Sequence, residues 1–422
     1  MTIRSNTDQR NIEDLLVHCL RTDGDHDEST RLSTLVTADS AALFDLARRQ
    51  SVAPLLYHRL RARGLGAAAP AILLEGLRKS LLASAARNMC LYAQFRQIAA
   101  ALHAEQIPLI VLKGMFLADV VYPNIAVRPM ADIDILVARQ DVERAAGVLI
   151  GIGYDYDSTR GVDFPARESK HLPMMVRDEA EAAVEIHRGI CDSGESYFID
   201  TAELFERSLP TTVSGLQVLR LSPEDLLLHL CTHMAYQNEF RMGLRPVCDV
   251  AATVDHYAAE LNWTSVSERA VRWGIVRGTY ASLLIAQRLF GAHVPSDVLV
   301  ALKPTHVDQD LPQLLRDRLF ISSAPRLISH PTPQFVHMLS RTSLKEKVHA
   351  VIQRAMVDRN SLALAYNVPN TAPGIYLCYL RRWCYLLTRY SPFAINAARR
   401  GDPAAKDSRL AAAVHRWLIG ED

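Results

Sequence analysis

A chain of 422 residues is long for one compact core and implies two or three structural units. Its apolar share of 49% and charged share of 22% are those of an ordinary soluble globular protein. Lys plus Arg number 47 against 46 Asp plus Glu, so a net charge of +1 gives no reason to expect nucleic acid or an anionic membrane as partner, although a local patch is still open.

The opening MTIRSNTDQRNIEDLL lacks the apolar run of a secretory signal. The most apolar stretch, IPLIVLKGMFLADVVYP, is interrupted by Lys113 and Asp119 and is too mixed to span a bilayer. Cys19, Cys90, Cys191, Cys231, Cys248, Cys378 and Cys384 lie far apart with no CxxC, the usage of reduced thiols. A cytoplasmic protein is expected.

Residues 1–105 read as an N-terminal helical region. Leu91, Phe95, Ile98 and Leu102 recur at helical spacing, and GLGAAAP at 64–70 is a loop. At 106–220 the texture changes. IPLIVL suits a buried strand, Lys113 and Gly114 end it, and MFLADVVY looks like two turns of helix. ADIDILV is a second strand, RQDVERAAGVLIGIGY a helix stopping at Gly151 and Gly153, and HLPMMVRD and AAVEIHR a pair of strands around the DEAE turn. That order predicts an α+β fold: a small mixed sheet backed by helices. Residues 221–422 form a C-terminal helical region. Its first helix starts at SPED, with Ser222 at the N-cap, Pro223 at the first position and acids in the first turn. Breaks follow at HVP, PTHVD and SHPTP.

Asp132 and Asp134 are the chemistry-bearing residues of the second strand. Strand side chains alternate faces, so both carboxylates point one way and Ile133 and Ile135 the other. Desolvated like charges repel unless a cation or a proton neutralises them. A divalent metal resolves the conflict, and Mg²⁺ takes hard oxygen ligands together with substrate phosphates. The plainer reading is a solvated D-x-D at a strand end. Three features favour the metal. Lys113 and Gly114, at the strand-to-helix turn, combine a point charge for phosphate oxygen with close backbone approach. Glu185 in VEIH brings a third carboxylate, and His187 shares its face. Arg128 enters the acidic strand, where a guanidinium either meets phosphate or pairs with Asp132 or Asp134.

These residues, LKG…Y…R…DIDILV…VEIH, resemble the nucleotidyltransferase-like family of the DNA polymerase β superfamily, in the branch labelled uncharacterised nucleotidyltransferase. LADVVYPNIAVRPMADIDILV is similar almost throughout, and LRPVCDVAATVD with LNWTSVSERAVRWG extends the likeness to about residues 30–390. The resemblance implies a small mixed-sheet nucleotidyltransferase core and two-metal transfer of an NMP. Asp132 and Asp134 would be the paired ligands, Glu185 the third acid, and Lys113 and Gly114 would lie at the triphosphate entrance. Arg128 and His187 are expected at the nucleotide. The cofactors implied are two Mg²⁺ ions, with ATP the first expectation for the NTP. Where the wider superfamily carries Gly-Ser at the first strand–helix turn, this chain has Lys113-Gly114, a charge in place of a hydroxyl donor. Members of this branch recur near machinery for peptide natural products and surface polysaccharides. The expected acceptor is therefore a peptide, a sugar or a small metabolite, ahead of RNA, with no membrane partner. Two rival classes are a degenerate nucleotide-binding regulator and a helical interaction protein.

Three other constellations carry less. His229 and His233 have a zinc-compatible i, i+4 spacing, but HLCTH lacks the Glu of HExxH. GIYLCYLRRWCYLLTRY at 374–390 interleaves aromatics with Arg381, Arg382 and Arg389, and reads as an amphipathic helix with apolar residues inward and arginines outside. Cys191 with His187 would need a third, orienting group.

Overall fold

The computed structural model describes residues 6–21, 28–157, 169–177, 180–192, 195–307, 310–321, 373–397 and 403–421, with isolated positions between 359 and 371. The SHPTP break and the first two residues of the DEAE turn lie outside the described residues. The fold is mixed α+β, with a seven-stranded sheet flanked by helices. The chain divides into two compact units, each drawn from separate stretches. One comprises Met1–Tyr92, Lys113–Met130 and Pro223–Pro325; the other Ala93–Leu112, Ala131–Ser222 and Arg326–Asp422.

The second unit contains the sheet. Its strands are β1 (Leu109–Val111), β2 (Asp132–Val137), β3 (Asp155–Tyr156), β4 (Met175–Arg177), β5 (Ala180–His187), β6 (Leu209–Val213) and β7 (Leu216–Arg220), in the spatial order β3-β4-β5-β2-β1-β7-β6. β2 lies at the centre, parallel to β5 and antiparallel to β1. A strand in that position is covered on both faces and reads as a near-continuous apolar run. Ile133, Ile135, Leu136 and Val137 are accordingly fully buried, which makes the two aspartates the anomaly of the strand. β6 and β7 form a hairpin closed by Ser214 and Gly215, both at positive φ (51° and 81°). Two such residues in a row fit the tight turn that follows strand twist, and Gly215 takes that conformation without strain.

A helix at Val142–Gly151 packs against β5, burying Val142, Ala145, Ala146 and Leu149 at the 3–4 spacing of one helical face. The end of the long helix Ala71–Ala104 belongs to this unit from Ala93 onward and buries Phe95, Ile98 and Leu102. The expected apolar face of that helix is thus present. The helix Ile375–Ala397 departs from expectation. Tyr376, Leu377, Leu380, Trp383 and Leu387 are exposed, whereas Arg382 is fully buried. Its small core instead joins Ile375 and Cys378 to Leu362 and Ala363, so the inward face is set by tertiary packing rather than by the arginine pattern.

The first unit is helical. Pro223–Thr232 starts at the SPED signal as anticipated and is buried along its whole length. Asp225, fully buried, accepts a 2.8 Å bond from Arg269. MFLADVVY divides into a short helix at Lys113–Phe116 and a π-turn at Leu117–Val121. Tyr122, next along, donates its hydroxyl to Asp249 at 2.9 Å. The loop that follows is held by Asn88, whose amide donates to the carbonyls of Ile125 and Arg128 and accepts from the Met130 N–H. Arg128 closes the loop with a fork of two bonds to Asp249, 2.8 and 2.7 Å long. Both side chains are nearly buried, at 7% and 4% exposure. Among the described residues no helix is long and apolar enough to cross a membrane.

Removing one partner of a buried pair strands the other charge and costs about 3–5 kcal/mol, whereas an apolar replacement of both can be nearly neutral. Asp249→Ala is therefore expected to lose stability on that scale in a urea melt. The double change Arg128→Met with Asp249→Leu should lose much less. Equal losses in the two proteins would contradict the role of this pair.

Candidate functional site

The site is a consequence of register. In the parallel ladder of β2 and β5, Asp134 stands opposite Glu185, Asp132 opposite Ala183, and Leu136 opposite His187. Facing partners share a sheet face, so one wall carries Asp132, Asp134, Glu185 and His187 while Ile133, Ile135, Val184 and Ile186 line the other. The N–H of Leu112, just past β1, donates to the Asp134 carbonyl at 3.1 Å and fixes the acidic strand from its other side.

His187 stands between the two acids. Its Nε2 is 3.1 Å from Asp134 Oδ1 and 3.4 Å from Glu185 Oε2. Asp134 is 4% exposed and His187 2%. Burial alone would push His187 towards neutrality, yet its hydrogen bonds and charge interactions with Asp134 and Glu185 outweigh that and raise its pKa above the ordinary histidine value. Burial likewise pushes Glu185 up, and the charge of Asp134 adds to it. The hydrogen bond from His187 and the two nearby imidazoles hold the carboxyl below the usual range. The imidazole thus acts as counter-charge to the pair. Its Nδ1 is buried and makes no hydrogen bond among the described residues.

A second imidazole, His171, borders the wall. It forms an antiparallel bridge with His187, their ring centroids are 5.2 Å apart at 60°, and its Nε2 lies 4.0 Å from Glu185 Oε2. Burial lowers its pKa. Sequence reasoning passed over it. The available signal was a histidine at the start of the strand-like run HLPMM, which pairs with VEIH.

Asp134, Glu185 and His187 each offer a ligand atom within 4.8 Å of the others. Two carboxylates and an imidazole on one buried wall fit a divalent cation, which would relieve the repulsion between the acids. Asp132 is half-buried at the outer end of the same face and is not one of these three.

The other expected residues have the following local surroundings. Lys113 opens the short helix directly after Leu112. A Cβ on Gly114 would meet the Arg128 guanidinium at 3.3 Å and Met130 Sδ at 3.5 Å, so one structural use of this glycine is to admit Arg128. The carboxylate that Arg128 forks is Asp249, a partner that pairing with Asp132 or Asp134 did not anticipate. His229 and His233 have ring centroids 6.5 Å apart, and neither belongs to the metal-competent group. Cys191 is half-buried, its thiol pushed up by burial, which suits a thiol rather than a nucleophilic thiolate.

A mixed sheet with carboxylates gathered on neighbouring central strands is the arrangement of a nucleotidyl-transfer core. The chain belongs to the family described as uncharacterised nucleotidyltransferase, whose model matches residues 37–291, and it is a nucleotidyltransferase enzyme. No curated protein and no solved structure matches it.

The His187 contacts set a pH window for the metal-free protein. Glu185, lowered in the fold, contributes stability that is present above its unfolded value of 4.5 and lost as pH falls through the folded one. His187, raised in the fold, contributes stability that is complete below 6.5 and lost as pH rises through its folded value. In chelator-treated samples, His187→Ala is therefore expected to cost most between about pH 4.5 and 6.5, on the order of 1–3 kcal/mol for a buried charged hydrogen bond. A penalty independent of pH would show that His187 merely packs.

Proposed function

We propose that this enzyme transfers a nucleoside monophosphate from an NTP, ATP in the first instance, to a hydroxyl or phosphate oxygen of a peptide, sugar or small metabolite. The acceptor oxygen forms a bond to the α-phosphorus, and the bond from that phosphorus to the leaving pyrophosphate breaks. The observation that supports this most is the pairing of Asp134 with Glu185 on one sheet face, with their ligand atoms and that of His187 within 4.8 Å.

Asp134 and Glu185 would hold the divalent cation that nucleotidyl transfer uses, with Asp132 extending the same wall outward. When bound, such an ion stabilises charge on the reacting phosphate and makes the acceptor oxygen easier to deprotonate. His187, hydrogen-bonded to Asp134 and ion-paired with Glu185, fixes the direction of their carboxylates. Glu185 is the group of this wall suited to receive the acceptor's proton. Lys113 supplies a cationic side chain for the triphosphate, following at once on the residue that hydrogen-bonds the Asp134 backbone. Arg128 receives no substrate role, because its guanidinium is engaged by Asp249. All seven cysteines are free, which suits a reducing cytoplasm.

Purified protein incubated with each α-labelled NTP, a divalent salt and a cell extract should label one class of acceptor. Asp134→Ala and Glu185→Ala should each reduce labelling at least about a hundredfold, the scale on which a key electrostatic group acts, while melting within a few degrees of the parent. Undiminished labelling in either variant would remove the acid from the mechanism. NTP and cation binding without transfer to anything would instead mark a nucleotide-binding regulator.

A further inference from the structure

We propose that the outer face of the helix Ile375–Ala397 is a self-association surface, on which the same helix of a second copy of this chain packs antiparallel.

The helix is apolar on two sides. Ile375 and Cys378 turn inward onto Leu362 and Ala363, and Arg382 is buried on that same side. At 3.6 residues per turn, Tyr376, Leu380, Trp383 and Leu387 fall within about 60° of arc on the other side. They are 62%, 54%, 38% and 67% exposed. Leu377 and Cys384, also exposed, widen the stripe along one edge. Folded chains seldom leave contiguous apolar surface of this kind to water, and where they do it marks a contact site.

The spacing identifies the occupant. Tyr376, Leu380, Trp383 and Leu387 are separated by four, three and four residues, the alternation of a and d positions in a coiled-coil seam. That series of intervals is the same read in either direction. A second copy running antiparallel, with the two-fold axis passing between positions 381 and 382, therefore sets Leu380 against Trp383 and Tyr376 against Leu387, each contact occurring twice as an isologous interface requires. Every aromatic ring then meets a leucine, the alternation of large and small side chains that lets facing layers interdigitate. A parallel pair would set Trp383 against Trp383 instead. No charged residue lies in the stripe, so identical copies meet without like charges in the seam. The area is sufficient. Large side chains exposed to this degree offer on the order of 100 Å² each, so two stripes together would cover on the order of 1,000 Å², the size at which an interface becomes specific.

The test uses the full chain. Sedimentation velocity over the micromolar range should show a dimer. Leu380→Glu should raise its dissociation constant at least about a hundredfold, because each dimer would bury two carboxylates in an apolar seam, while the circular dichroism spectrum stays that of the parent. Orientation is read in a Cys90→Ser, Cys384→Ser background. Chains carrying Tyr376→Cys, mixed with chains carrying Leu387→Cys, should form disulfide-linked pairs of one with the other on mild oxidation, and neither should pair with itself. Self-linked pairs would overturn the antiparallel alignment. A Leu380→Glu protein that dimerises as strongly as the wild type would overturn the assignment of this face. A wild-type monomer throughout would overturn the second copy as occupant. Binding of that monomer to phosphatidylcholine–phosphatidylglycerol vesicles would then give the stripe to a membrane, and resistance of Cys384 to a thiol reagent would give it to the same chain.

Discussion

Two carboxylates side by side on the central strands of a sheet oppose one another, one buried and one half-buried. Asp134 and Glu185 are held there by the ladder between β2 and β5, in which five successive residue pairs are in register. A slip of one residue would turn one acid to the opposite face. The repulsion is met within the protein by His187, hydrogen-bonded to Asp134 and ion-paired with Glu185. That is a provisional solution, since an imidazole contributes at most one positive charge and leaves carboxylate lone pairs to spare. A divalent ion would meet the demand more fully, and that is the link we propose between this fold and nucleotidyl transfer.

The surroundings serve that register. The Leu112 N–H anchors the Asp134 backbone from the β1 side, and the helix Val142–Gly151 covers β5. Separately, within the helical unit, Arg128, Asp249 and Tyr122 form a buried cluster that pins the loop ending at Met130. Burial, reinforced by the charge of Asp249, raises the Tyr122 pKa and keeps its hydroxyl a donor. Arg128, for which the sequence left open a phosphate or an acidic-strand partner, forks Asp249 in this cluster.

What was legible in the sequence was local. The alternation of DIDILV reveals a strand with both acids on one side, because period-two patterning is a property of adjacent residues. The SPED helix start and the face of Leu91, Phe95, Ile98 and Leu102 were readable for the same reason. Which strand lies beside which is not local: the alignment of Glu185 with Asp134, and so the position of His187 between two acids, emerges only from parallel pairing. His171 gave only a weak signal, because its partner lies across a strand pair. The Arg128 partner is 121 residues away. The β6–β7 hairpin did announce itself, through Ser-Gly between alternating runs, and was read over. For GIYLCYLRRWCYLLTRY, amphipathic logic assigned the arginines outward, but packing buries Arg382 and exposes five large apolar residues.

The central claim is that the acids on β2 and β5 share a divalent cation. Anomalous diffraction from crystals soaked in Mn²⁺ tests it most directly. The account expects a strong peak in contact with carboxylate oxygens of both Asp134 and Glu185. A clear map with that space empty, or with the only peaks elsewhere on the surface, would contradict it.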